Sequence, residues 1–189
     1  MDAIKNYIIE RGGVIFFISQ LLSVIATALL LLSFQQKTHK RIVIMQAVSG
    51  LLFGIQYLMI GAYEGMMCNF IGMVRSITYS FRHKSKFVDS VICPTFFSLT
   101  FVVSSIFTYQ SPLSLVPAAA MIISSYVMWI PQTQKLRALS LPTSALWLLY
   151  NISSNAVVAI FTELFNLISI IIALIRFSKF AQNLKKKKA

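Results

Sequence analysis

Residues 14–34 run without a single charged side chain. At 1.5 Å of rise per residue, a helix of that length spans about 30 Å, the thickness of a bilayer's hydrocarbon core. Comparable runs follow at 42–60, 65–81, 88–109, 113–130, 141–160 and 162–177. The chain has 189 residues, 57% hydrophobic and 12% charged, with few places to put that apolar surface except against lipid. Soluble domains are about one quarter charged. Most connections between the runs are short, as lipid demands of a backbone that must satisfy its own hydrogen bonds. The expected fold is all-α: a polytopic membrane protein with seven transmembrane helices in a single membrane domain over 1–189, and a basic cytoplasmic tail at 178–189. Ser111-Pro112 reads as the start of the fifth helix, and Leu141-Pro142-Thr143 as the start of the sixth.

Seventeen Lys and Arg against five Asp and Glu give a net charge of +12. Nucleic acid is not the partner this implies, because the positive residues sit between apolar runs rather than on one face. Lys37, Lys40, Arg41, Arg82, Lys84, Lys86, Lys135, Arg137, Arg176, Lys179 and Lys185 to Lys188 all fall on one side of a seven-span topology. Only Lys5 and Arg11 fall on the other, and Arg75 lies within the third helix. The positive-inside rule then puts the N-terminus outside and the C-terminus in the cytoplasm. The terminal lysines help hold that end at an anionic leaflet. Lys5 and Arg11 are offset by Asp2 and Glu10, so the first run reads as a retained helix, not a cleaved signal. Cys68 and Cys93 lie inside apolar runs and point to neither a disulfide framework nor a metal site.

The chain also repeats itself. An offset of 97 carries Gln35 onto Gln132, Phe53 onto Tyr150 and Asn69 onto Asn166. An offset of 101 instead pairs Arg75 with Arg176, and both registers stand. Two three-helix units, 14–81 and 113–177, point the same way only if one further helix, 88–109, joins them. This is a 3+1+3 plan of parallel repeats, and carriers built on repeats bind solute near the midplane between them.

The 3+1+3 plan resembles that of SWEET and PQ-loop transporters. The fifth run ends in Trp129-Ile130-Pro131-Gln132, similar to a PQ motif, while the first copy has Phe34-Gln35 and lacks the proline. A resemblance covering nearly the whole chain is to the YgjV-like family of bacterial inner-membrane proteins. It is carried by the basic stretch 37–41, Gly54-Ile55-Gln56-Tyr57 with Gly61-Ala62-Tyr63, Arg75, Trp147-Leu148-Leu149-Tyr150-Asn151, and Glu163 thirteen residues before Arg176. It implies a multi-pass protein of the bacterial plasma membrane and lends no reaction.

Polar residues inside the runs are the candidate site. Gln46, Ser49, Phe53 and Gln56 share one helical face, as do Thr143, Trp147 and Tyr150. Asn69 and Ser76 on the third helix, and Asn166 and Ser169 on the seventh, add amides and hydroxyls. Polar groups in hydrocarbon are costly unless paired or wetted. They therefore either line a shared cavity or bond helix to helix. The proposed solute-binding set is Asn69, Asn166, Phe53, Tyr150, Trp147, Gln56, Ser76 and Ser169, with Pro131, Gln132 and Pro142 as hinge. In SWEET-type carriers an Asn and an aromatic flank the sugar, and the resemblance puts Asn69, Asn166, Phe53 and Tyr150 in those roles. Arg75 either snorkels to the inner interface or faces the cavity and meets an anion or a carboxylate. Glu64 and Glu163 read as rim residues, Gly50 and Gly54 as a close-packing pair, and His39 and His83 as solvated loop residues.

No catalytic motif, metal cluster or cofactor signature is present, so enzymatic chemistry has no support. The leading expectation is a passive carrier for a small, neutral, sugar-like solute, because rings stack on such a ligand and amides bond its hydroxyls. Two other readings stand beside it: a non-transporting membrane scaffold or regulator, and a carrier of a vitamin precursor similar to nicotinamide riboside. Lipid is the obligatory partner, and self-association is left open.

Overall fold

The computed structural model describes residues 13–59, 61, 63–109, 112, 115–153 and 157–186. Among them are eight helices: α1 (Gly13–Phe34), α2 (His39–Met59), α3 (Tyr63–Ser80), α4 (Lys86–Asp89), α5 (Ile92–Phe107), α6 (Leu115–Trp129), α7 (Thr133–Ser153) and α8 (Val157–Lys186). Three segments, Gly13–Phe34, His39–Met59 and Ala159–Ser178, are long and apolar enough to cross a membrane, and α5 and α6 are shorter apolar helices.

The helices are packed inside out. The buried face of α1 is Ser19, Ser23, Ala26, Ser33 and Phe34, while Val14, Phe17, Leu21 and Val24 are at least half exposed. Water would drive the opposite arrangement. In lipid nothing is gained by hiding a leucine from another hydrocarbon, so small and hydrogen-bonding residues take the interior and allow close packing. Ser49 Oγ donates to the Ala26 carbonyl at 2.8 Å, joining α2 to α1. The α2–α3 contact uses the expected glycines: a Cβ on Gly50 would lie 3.3 Å from the Asn69 carbonyl oxygen, and one on Gly54 would strike the Phe70 ring. Gly61, at φ 73°, donates its N–H to the Leu58 carbonyl at the end of α2, a left-handed position that disfavours any side chain.

Several boundaries differ from expectation. α7 begins at Thr133 and runs through Pro142, so Leu141-Pro142 is not a start and Pro142 does not flank a loop. The chain turns at Pro131, which has no N–H to continue α6, and the Gln132 carbonyl accepts the first bond of α7 from Leu136 at 2.9 Å. Lys135 and Arg137 therefore belong to a helix rather than a loop. The linker run divides at Ser90, whose extended backbone ends α4 and whose Oγ accepts from the Ile92 N–H. The break expected at residues 160–162 comes earlier, α7 ending at Ser153 and α8 beginning at Val157, because Thr162 and Glu163, polar enough to read as a break, are carried inside α8, which continues past the expected Phe177 to Lys186. The start of α6 is at Leu115; Ser111 lies outside the described residues, as do Lys5, Arg11 and the side chains of Glu64 and the basic tail.

Packing follows a closed pattern. α1 meets α2 and α2 meets α3; α6 meets α7 and α7 meets α8; then α1 meets α8, and α3 meets α6 and α5. The apolar core gathers at one end, around Phe34, Ile42, Tyr79, Phe97, Met128 and Leu136. This is the end that carries the basic connections.

Candidate solute cavity

At the other end the helices part around a cavity of about 480 Å³. Its walls come from five helix ends. Tyr57 closes α2, Tyr63 and Cys68 open α3, Phe107 and Tyr109 follow from α5, Pro117 begins α6, and Trp147 and Tyr150 come from α7. Trp147 and Tyr150 are one helical turn apart, and their rings meet edge to face at 6.1 Å. An aromatic wall interrupted by phenolic hydroxyls suits a ligand with one apolar face and several polar groups.

Of the expected site residues, Trp147 and Tyr150 line this cavity. The others serve nearby or elsewhere. Asn69 is half-buried and donates to the Gly65 carbonyl of its own helix at 2.8 Å. Ser169 donates to the Leu31 carbonyl at 2.8 Å and accepts from Gln35 at 3.2 Å, so it ties α8 to α1. Gln56 and Ser76 are buried, and Phe53 is half-buried. Pro131 and Gln132 form the α6–α7 corner at the opposite end, and Pro142 lies on the exposed side of α7.

Asn166 is 5% exposed. Its Nδ2 donates to Ser144 Oγ at 2.9 Å and more weakly to Glu163 Oε2 at 3.4 Å. Glu163 is thus half-buried against α7 rather than a solvated rim residue.

Arg75 does not snorkel. It is 4% exposed, donates to the Met121 carbonyl and to the hydroxyls of Ser124 and Ser125 at 3.1–3.2 Å, and lies 5.4 Å from the centre of the Phe101 ring. It meets no carboxylate among the described residues, and its Nε has no partner. This cation binds α3 to α5 and α6 through neutral acceptors.

The basic end is closed by helix-end carbonyls meeting donors from two arginines and a histidine. Arg137, 1% exposed, donates from Nε to the Phe34 carbonyl at 2.9 Å and from Nη2 to that of Gln36, with the Phe177 ring 4.3 Å away. His39 bonds the Met128 carbonyl at 2.7 Å, while Arg82 donates to the Trp129 carbonyl and stacks on its ring at 4.1 Å. The last carbonyls of a helix have no partner within it and carry its negative dipole end, so cations fit there. His39 is therefore no solvated loop residue. His83 is, at φ 68° and exposed. Sequence reasoning missed Arg137, Arg82 and His39 because a basic residue in a solvated loop and one that caps a helix look alike in sequence. It missed Tyr57, Tyr63, Phe107 and Tyr109 because aromatic residues at helix ends ordinarily mark the membrane interface.

Helices with polar interiors and apolar exteriors, several of them long enough to cross a bilayer, define a multi-pass α-helical membrane protein. A profile of the Imp-YgjV family, described as bacterial inner membrane protein, matches residues 17–181, and the chain belongs to that family. No curated protein and no solved structure matches it.

Proposed function

We propose that the chain is a carrier for a small polar solute, built of seven spans in two parallel three-helix units, α1–α3 and α6–α8, with α5 between them. Its N-terminus is outside and its C-terminus cytoplasmic, since the basic connections share one end. The pairing of helices supports the repeat: α1 packs on α8 as α6 packs on α3. The caps support it too. Arg137, the fifth residue of α7, holds the end of α1, and His39, the first residue of α2, holds the end of α6. Each unit thereby closes the other, as a pseudo-two-fold axis along the membrane normal requires.

The observation that carries the transport reading is asymmetry between the two ends. A cavity of about 480 Å³, within the ~300–1,000 Å³ usual for small-ligand pockets, faces the outer side, while the inner side is filled by core and caps. That is an outward-facing carrier. The inward-facing state follows when the units rock, the caps part and the aromatic ends close. Solute enters among Tyr57, Trp147 and Tyr150, and the polar positions Asn69, Gln56 and Ser76 lie deeper on its path.

Uptake into proteoliposomes from a panel of radiolabelled sugars, polyols and nucleosides tests this. Trp147→Ala is expected to lower uptake at least about tenfold, the effect of roughly 1.4 kcal/mol of lost stacking, with an unchanged melting temperature. A protein that takes up no member of the panel, wild type included, favours a scaffold instead. The flat aromatic lining also suits a heterocycle-bearing vitamin precursor, and the nucleosides in the panel separate that solute from a sugar.

A further inference from the structure

Glu163 is the only carboxylate within a described long apolar segment whose side chain is described, and it has no cation beside it. Among the described residues no Lys, Arg or His pairs with it. Its observed support is one long contact, 3.4 Å, from Asn166 Nδ2, with Ser144 also in hydrogen-bonding reach. An ionised side chain inside a bilayer is costly, and one stretched amide contact with a neutral hydroxyl beside it offsets that cost poorly. A second observation lies beside it: Asn166 Oδ1 is buried and has no hydrogen-bond partner. The site thus has one acceptor too many and one donor too few.

We propose that Glu163, with Asn166 and Ser144, is a proton-binding site on the wall behind the outer cavity, and that its proton travels with the solute. A proton added to the carboxylate supplies the missing donor. The carboxyl O–H then donates to Asn166 Oδ1 after the Glu163 side chain shifts toward it, while Asn166 Nδ2 keeps Ser144. The spacing of three residues puts Glu163 and Asn166 side by side on α8, so no backbone movement is needed. The proton comes from water in the outer cavity and leaves to the cytoplasm once the caps part; no other atom is exchanged. Tyr57, on the cavity wall, lies in electrostatic reach of Glu163, and Tyr150 and Cys68 lie in reach of Tyr57. From α1, the helix on the other side, the uncharged Thr27 meets Thr162 at 3.5 Å. None of these neighbours is a cation that would hold the carboxylate ionised. The coupling, though not the proton site, rests on the carrier reading.

Infrared difference spectra of the full chain in lipid nanodiscs, taken between about pH 8 and about pH 5 with no solute, read the carboxyl directly. A protonated-carboxyl C=O band that appears toward the lower pH and shifts in deuterium oxide is expected in the wild type and absent from Glu163→Gln. If Glu163→Gln does not fold, Glu163→Asp should move the band, since it draws the carboxyl back by one methylene. A difference spectrum identical in wild type and variant overturns the proposal. So does a Glu163 that remains ionised throughout, as it would on a bound sodium ion. The spectra need no transport, so failure of uptake in proteoliposomes refutes the carrier reading and leaves this result standing.

Discussion

Arg137→Met offers the sharpest test of how the basic end is held. A cation in a solvated loop would be replaceable at almost no cost. Arg137 is instead 1% exposed and holds two carbonyls at the end of α1. Methionine keeps most of the volume and the contact with Phe177, and removes both donors. A buried carbonyl left without a partner costs about 1–3 kcal/mol. The Phe34 carbonyl belongs to a residue 2% exposed and bears that cost fully, whereas Gln36 is half-buried and water can take over part of the bond. The guanidinium's own desolvation, which methionine avoids, works the other way. The balance is a loss of about 3 kcal/mol. Arg137→Lys retains the charge and one bond, and should lose about half as much. Lys135 is exposed, two residues away on the same helix, and Lys135→Met should stay within about 0.5 kcal/mol. Reversible unfolding in mixed detergent micelles measures all three. Equal losses for Arg137→Met and Lys135→Met would mean that the cap carries no energy and that the basic end is closed by something else.

Two further outcomes follow from the same structure. Gly50→Val should destabilise far more than Gly61→Ala in the same unfolding assay. At Gly50 the new atoms meet backbone at 3.3 Å, whereas Gly61 has open space and bears only the roughly 1–2 kcal/mol of a left-handed backbone. A reporter active only in the cytoplasm should work when fused after Ala189 and fail when fused before Met1; signal from both fusions would break the seven-span reading.

Much of this protein was legible without coordinates, for definite reasons. A lipid environment forces helices on any long uncharged run, so residues 14–34 alone fixed the fold class, and the positions of α1, α2, α3 and α6 came out within a few residues. Gly50 and Gly54 were legible because a missing Cβ has one main use between membrane helices. The α6–α7 corner was legible because proline has no N–H to give. Pro142 misled for the same reason: proline starts helices, yet here the helix runs through it. What periodicity could not decide was the partner of each polar group. Lys135 and Arg137 are two residues apart in sequence, and only the approach of α1, 103 residues away in the chain at Phe34, buries one and leaves the other exposed. Glu163 read as a rim residue because its depth depends on how α8 leans on α7, a contact set by Ser144 and Asn166 together. Asn166 itself was singled out by sequence as a costly amide; whether it faces solute or a carboxyl was decided by tertiary packing. The sequence determines that such groups must find partners inside the bilayer, since hydrocarbon offers none. Which partners they find is a property of helices far apart in the chain and adjacent in space.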